Sequence, residues 1–377
     1  MKKFVSSVLL SASAVSLSAC AFEPATEADM ADQTEQAVTR SVSTPADLAS
    51  AVKAAKSGDV ISLAAGTYKM TTKLVLSASG VTLTAPSGAT LDYGQSKSTD
   101  NAYGIDITGS NNRLSNLTIM RAGDNGVHIV GNGNTVERCK FHDNYDSGLQ
   151  ISGKETEGAP APANNKIINC DSYANHDTHT SSGGDADGFA AKINVGPGNS
   201  FYGCVAHDNS DDGWDLFPKV KSGSNPVTIE NSVSYHNGYI GSSRAGNGNG
   251  FKLGSNLTSG GAHTVKNSVA FNNPSKGFDE NHNQSRVNLS NDTGVNNASA
   301  NFAFNDSQAS GVGANIKNSV ANGKWQQSGG TDSGNVKNAA TSAFTNLDPS
   351  KISRASDGTL HLNGFAVYKA SSAGAHF

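Results

Sequence analysis

The chain has 377 residues, 41 of them glycine, and carries 28 basic against 32 acidic side chains for a net charge of −4. An acid excess of this kind argues against a nucleic-acid partner. Beyond the first twenty residues, no apolar stretch is long enough to span a bilayer.

Residues 1–19 (MKKFVSSVLLSASAVSLSA) join a basic start at Lys2 and Lys3 to an apolar run that ends in small residues, the pattern of a secretory signal. Leu17-Ser18-Ala19-Cys20 resembles a bacterial lipoprotein cleavage box, so Cys20 is expected to carry an acyl anchor; a simple cleaved signal is the alternative. Ala21 does not resemble an inner-membrane retention residue, which makes the expected location secreted or anchored to the outer membrane. Losing residues 1–19 removes two lysines and leaves 26 basic against 32 acidic groups, a net −6. Residues 20–40 are polar and acidic, without strand signals, and read as a tether. The remainder, 41–377, reads as one domain, expected to act as a monomer.

Thr44-Pro45-Ala46-Asp47 has the chemistry of a helix start: a hydroxyl N-cap, Pro at the first position and an acid at the third. The helix is predicted to run through LASAVKAAKSG and stop at Gly58, with VISLAAGTY as the first strand. A short helix there would cover the open end of a repeating structure.

Repetition fills most of the chain beyond that helix. The phrases NTVERCKFHDN, NKIINCDSYAN, NSFYGCVAHDN, PVTIENSVSYHN, HTVKNSVAFNN and VNLSNDTGVNN align on Cys139, Cys170, Cys204, Ser232, Ser268 and Asp292. Each reaches an asparagine five residues later: Asn144, Asn175, Asn209, Asn237, Asn273 and Asn297. The anchors lie 31, 34, 28, 36 and 24 residues apart, so the phrase is fixed while loops on one side vary. Apolar residues alternate within each phrase, and a second short strand follows each glycine in GVHIV, GLQIS, GFAAK, GWDLF, GFKLG and GFDEN. Strands this short, Asn/Gly turns and no long helical pattern predict an all-β fold, a right-handed parallel β-helix solenoid with a short N-terminal capping helix. The asparagine column is expected to be an internal hydrogen-bonded ladder. Cys139, Cys170 and Cys204 are expected as a buried stack of free thiols, although one bridge between adjacent rungs stays open. After about residue 322 the phrase fades, and the C-terminal segment is expected to pack over the far end.

Aligning Gly188, Gly213 and Gly250 puts Val127, Leu149, Phe189, Trp214, Phe251 and Phe278 in one inward column. The next residues, His128, Gln150, Ala190, Asp215, Lys252 and Asp279, then point outward on one face. Rungs of a parallel sheet are about 4.8 Å apart, which sets Lys252 one rung from Asp215 and Asp187 one rung from Asp212, with Asp211 alongside. Two carboxylates that close repel by roughly 3–4 kcal/mol at an effective dielectric of 20. The local sequence lacks the positive charge to cancel four of them, whereas Ca2+ takes six to eight oxygen ligands. Turn aspartates solvated by water are the plainer alternative.

DGFAAK, SDDGWDLF and GNGFKLG resemble the active-site motifs of polysaccharide lyase family nine, the parallel β-helix pectate lyases, over roughly residues 41–377. The resemblance implies calcium held by Asp187, Asp211, Asp212 and Asp215, with Lys252 as the Brønsted base. Independent chemistry agrees: abstracting the C5 proton of a uronate makes a dianion that a Lewis acid must stabilise. The expected reaction is β-elimination on pectate (polygalacturonate), with alginate or another uronan as the alternative substrate.

An anionic polymer also needs cationic and polar subsites. Lys192 shares the outward parity of Ala190, and Arg244 and Asn249 precede the base, so all three are expected to bind substrate. Asp185 is a further candidate calcium ligand. His176 and His179 lie in a loop insertion and read as a zinc pair only weakly, and Trp214 reads as core. Two other functions are compatible with the repeats. A noncatalytic polysaccharide-binding β-helix gives no reason for a lysine beside four aspartates. A glycosidase would use two carboxylates and leave a reducing end without a double bond.

Overall fold

The computed structural model describes residues 36–179, 182–255, 260–307 and 312–377. The predicted signal, Cys20 and most of the predicted tether lie outside the described residues. Each coil carries three short strands. Thr135–Glu137, Lys140–His142 and Leu149–Ile151 make one coil, and Lys166–Ile168, Asp171–Tyr173 and Phe189–Ala191 make the next. Each strand pairs in parallel with its counterpart one coil on. This is the parallel β-helix that the repeat predicts. The third strands stack into a ten-stranded parallel sheet from Leu74–Leu76 to Trp325–Gln327.

The repeated phrase encodes the corners. Between the first and second strands the chain turns through one left-handed residue, with φ of 50–58° at Asn169, Asn231, Asn267, Asn291 and Asn318. Asparagine tolerates that region better than other side chains with a Cβ. At the next corner the predicted ladder is present. Asn144, Asn175, Asn209 and Asn237 each donate from Nδ2 to Oδ1 of the asparagine one coil on, at 2.9, 2.8, 2.9 and 3.2 Å. Asn273 continues to Asn297 at 3.0 Å.

The inward column holds the core together. Phe189, Trp214, Phe251, Phe278 and Phe302 are fully buried. Their ring centroids are 4.9, 4.9, 4.9 and 4.7 Å apart, the spacing of the rungs themselves. Each such ring contributes about 1.5–3 kcal/mol by burial. Trp214 belongs to the core, as its parity requires. Cys139, Cys170 and Cys204 are buried free thiols in one column. Their thiols, like the hydroxyls of Ser232 and Ser268 further along, donate to the carbonyl two residues earlier.

Both ends differ from expectation. The first strand is Thr39–Val42, which pairs with Val60–Leu63 and begins two residues inside the segment expected as tether. The helix between them, Pro45–Lys53, starts where predicted, with Thr44 Oγ1 accepting from Asp47 N at 3.1 Å. It ends at Lys53 rather than at Gly58. Asp59 explains the early stop: its buried carboxylate accepts from Lys56 N at 3.0 Å and Val38 N at 2.8 Å, and pairs with Arg40. The turn that serves Asp59 draws the chain out of the helix. Leu48, Ala51 and Val52 are the helix residues it buries.

The start of the C-terminal segment covers the far end as expected, Trp325–Gln327 and Asp332–Ser333 pairing on the last coil, but the remainder lies along the flank of the solenoid. Phe344, Leu360, Leu362 and Phe365 pack on the outward residues Val205, Val233, Val269 and Val320 of successive second strands. Arg354 anchors the same segment by donating to Asp171 Oδ1 at 3.0 Å and to the carbonyls of Gly203 and Cys170. The reason is legible in the phrase. The residue after the anchor is Lys140 and Asp171 in early coils and Val205, Val233 and Val269 in later ones. An outward apolar stripe needs a cover.

Candidate active site and metal centre

Three rungs of the ten-stranded sheet, Phe189–Ala191, Trp214–Asp215 and Phe251–Lys252, align Ala190 with Asp215 and Asp215 with Lys252. The glycine before each strand is required by close approach. A Cβ on Gly213 would lie 2.0 Å from Ser234 Oγ and 2.6 Å from Gly250 O. With the glycines fixed, the residues before them stack at one corner. Asp187, Asp211 and Asp212 are all buried, and each offers an oxygen within 4.8 Å of the others.

The hydrogen bonds hold these oxygens in place without neutralising them. Asp187 Oδ1 accepts from Asp212 N at 3.2 Å, and Asp212 Oδ1 accepts from Asn249 N and Nδ2 at 2.6 and 2.9 Å. Asp211 Oδ2 accepts from Asp185 N at 3.1 Å, and its Oδ1 from Asn247 N. Two ammonium groups approach from the cavity side. Lys192 Nζ is 2.8 Å from Asp187 Oδ2 and 3.7 Å from Asp215 Oδ2. Lys252 Nζ is 3.2 Å from Asp212 Oδ2 and 3.6 Å from Asp215 Oδ1. Neither of the last two oxygens has a hydrogen-bond partner in good geometry, so the Lys252 contacts are charge contacts alone.

Burial pushes the Asp187 and Asp212 carboxyls well above the usual range, neighbouring acids push further, and the nearby lysine opposes each shift. Burial alone would lower Lys192 and Lys252. The carboxylates around them win, holding both ammonium groups firmly protonated. If all four aspartates ionise, two lysines leave negative charge uncompensated in a buried pocket, which is why the Asp187 and Asp212 carboxyls are held towards their neutral forms in the metal-free chain. The donor set of carboxylate oxygens, two of them orphans on Asp212 and Asp215, fits a hard divalent cation such as Ca2+.

The cluster opens on a cavity of about 370 Å³ lined by Asp146, Gln150, Asp185, Lys192, Asp215 and Lys252, with Phe217 beside them. Lys252 Nζ lies over the Phe217 ring, 5.3 Å from its centroid. The structure thus brings together Asp187, Asp211, Asp212, Asp215, Lys192 and Lys252, the six charged residues that the glycine alignment and strand parity select. Two predicted substrate residues lie elsewhere. Asn249 is buried behind the cluster, its Nδ2 engaged by Asp212 and its Oδ1 accepting from Lys276 N at 3.2 Å. Arg244 lies on a hairpin with Tyr239–Ile240 and donates to Asn247 O at 2.7 Å, tying down its own loop. Lys192 does line the cavity, but its ammonium meets aspartates rather than open space. Asp185 lines the cavity from an exposed position, outside the buried triad. His176 stacks edge-on against Tyr145, and His179 lies 3.6 Å from Asp177 and Asp100, so neither joins a metal-ligating group among the described residues.

Sequence reasoning missed Asp146 and Phe217. Burial raises the Asp146 carboxyl to about 7 against the pull of Lys192. Its signal was available: Asp146 stands two residues before Gly148 as Asp211 stands two before Gly213. Phe217 shares the parity of Asp215, one rung from Lys192.

A family model described as Pel9A-like, right handed beta helix region matches residues 29–322. A protein named Pectate lyase L from Paenibacillus polymyxa (strain SC2) is 39% identical over 282 residues, covering 70% of this chain and 61% of that protein. Pectate lyase L from Dickeya chrysanthemi is 40% identical over 271 residues, covering 69% and 60%. The chain therefore spans about three fifths of the length of these curated relatives. Among solved structures, pectate lyase Pel9A superposes with a TM-score of 0.79 at 32% identity, over 89% of this chain and 90% of that one. A rhamnogalacturonan lyase shares the fold, with a TM-score of 0.71 at 22% identity over 88% and 97%.

Proposed function

The chain belongs to the Pel9A-like right-handed β-helix family, and from that premise we propose that it is a calcium-dependent pectate lyase. The substrate is a polymer of 1,4-linked galacturonate, cleaved by β-elimination. One observation carries the reading: Lys252 and Asp215 line one cavity from adjacent rungs, and Lys252 Nζ also reaches Asp212 of the buried acid cluster at 3.2 Å.

Asp187, Asp211, Asp212 and Asp215 would hold Ca2+, and the bound ion would supply the positive charge that stabilises the uronate as its C5 proton leaves. Lys252 acts as the base. Its Nζ takes the C5 proton, the C–H electron pair forms the C4–C5 double bond, and the C4–O4 bond breaks with its electrons on O4, which solvent protonates. This needs the neutral amine, and Asp215 and Asp212 hold the amine protonated in the metal-free chain. Activity is therefore expected to require both occupation of those carboxylates and alkaline pH. Asn249 fixes Asp212, and Asp185 and Asn247 fix Asp211, so these residues position the ligand set. The N-terminal signal and Cys20 support export and lipid anchoring, which labelled-lipid incorporation lost in Cys20→Ser would test.

The test is the purified chain with polygalacturonate and calcium, followed by ultraviolet absorbance of the unsaturated product. Absorbance that rises, and is abolished by a chelator and by Lys252→Ala, is the expected result. New reducing ends without absorbance would overturn the lyase in favour of a hydrolase.

A further inference from the structure

The closest ion pair of the site is one that the elimination chemistry does not use. Lys192 Nζ is 2.8 Å from Asp187 Oδ2 and 3.7 Å from Asp215 Oδ2, and it donates to Asp185 O at 3.2 Å. Its residue is 8% exposed and Asp187 is fully buried, so this is no flexible surface pair. Backbone conformation fixes the arrangement. The next residue, Ile193, has φ of 70°, a left-handed value that β-branched side chains rarely adopt. Ile193 N donates to Phe217 O at 2.8 Å, and Ile193 O accepts from Lys219 N at 2.8 Å. The strand therefore stops at Ala191, and the chain turns with Lys192 folded over the acid cluster. Strain of this kind persists where surrounding structure enforces it and concentrates at functional sites. Asp215 divides its oxygens between Lys192 and Lys252, so the two lysines bracket the cluster from the rungs on either side of Asp215.

We propose that Lys192 is a resident counter-cation: its ammonium holds the acid cluster assembled in the metal-free chain and competes with calcium for Asp187. The inference rests on the calcium reading above. A divalent ion approaching Asp187 meets a fixed positive charge that already satisfies Oδ2, so Lys192 sets metal affinity by repulsion and competition. Metal occupancy in turn frees Lys192 for the cavity it lines. A lysine that merely scaffolds the ligands would act in the opposite sense, because its loss would loosen them.

Calcium titration of the purified chain by calorimetry, without substrate, separates the two. Lys192→Met is expected to bind calcium about tenfold tighter than the natural chain, as loss of a unit charge beside a divalent ion requires. Lys192→Arg, which keeps the charge, is expected to stay within about threefold of it. Melting without metal provides the second measurement: Lys192→Met should melt earlier than the natural chain and gain more from added calcium. Unchanged or weaker calcium affinity in Lys192→Met would overturn the proposal. A natural chain that takes up no calcium at all would instead sink the calcium reading of the function. In that event the metal-free melting point alone judges Lys192, a drop keeping its counter-cation role and no drop removing it.

Discussion

Two columns of stacked side chains stand in the same connection of the coils, between the second and third strands, and have opposite chemistry. In the asparagine column each side chain is both donor and acceptor. Identical residues one rung apart therefore satisfy each other, as Asn175, Asn209 and Asn237 do at 2.8 and 2.9 Å. In the column of Asp187 and Asp212 every side-chain oxygen is an acceptor. Repetition there stacks negative charge, and the deficit is met from outside by Lys192 and Lys252. A solenoid forces side chains to be repeated at rung spacing. Self-complementary side chains turn that into stability, and acceptor-only ones concentrate negative charge that Lys192 and Lys252 offset.

The comparison can be broken from either side. The largest effect is expected from Lys252→Ala, which removes the residue proposed as base and one of the two ammonium groups. The rate of unsaturated-product formation should fall about 10²–10⁴-fold, with the melting point of the metal-free chain also lowered. A rate within threefold of normal would dismiss Lys252 as the base. Next is Asn209→Asp, which puts an acceptor-only group into the ladder. Asn209 Nδ2 now donates to Asn237 Oδ1 and Ser172 O, and a carboxylate oxygen would face both acceptors in a buried site. The expected loss is about 3 kcal/mol of stability, read from the denaturant midpoint. The converse change, Asp212→Asn, makes the acid column more like the ladder. Calcium affinity should drop at least about tenfold (about 1.4 kcal/mol) while the chain stays folded. Unaltered calcium binding in Asp212→Asn would show that the ligands lie elsewhere.

Much of this was legible because a parallel sheet converts sequence register directly into contact. Once Gly188, Gly213 and Gly250 are aligned, residues at equal offset must be rung neighbours pointing the same way, which put Lys252 beside Asp215 and Asp187 beside Asp212. Parity also sent Lys192 outward correctly. It did not reveal the partner, because the left-handed turn at Ile193 depends on bonds to Phe217 and Lys219 in the next coil. Asn249 keeps the register, one residue before Gly250 as Asp212 is before Gly213, and its amide therefore meets Asp212 on the neighbouring rung. Arg244 lies in the insertion that leads to the third motif, where offset from a glycine no longer fixes direction. The C-terminal segment was legible only in hindsight, through the valines that replace Lys140 and Asp171 on the flank.

One residue tests the rule with the smallest effect. Asp292 continues the column of Cys204, Ser232 and Ser268, and it is the one carboxylate there. Its Oδ1 accepts from Ser268 N at 2.9 Å, while Oδ2 is buried without a partner. Burial pushes its carboxyl well above the ordinary 3.8. A carboxyl whose native value is raised favours folding below the unfolded value, and that contribution is lost as pH rises from about 4 towards the native value. Near neutral pH the native state must hold a proton the unfolded chain releases, or bury a charge. Asp292→Asn removes that conflict. The rest of the column shows where the new amide would go. Cys204 Sγ, Ser232 Oγ and Ser268 Oγ each donate to the carbonyl two residues earlier, at 3.5, 2.9 and 3.0 Å, and the equivalent carbonyl for the variant is that of Ser290. The variant should gain about 1 kcal/mol at pH 7, and the gain should vanish near pH 4. Denaturant midpoints of both proteins at the two pH values decide it, since other titrating groups cancel in the difference. An equal offset at both would assign the gain to packing and leave the carboxylate without a role.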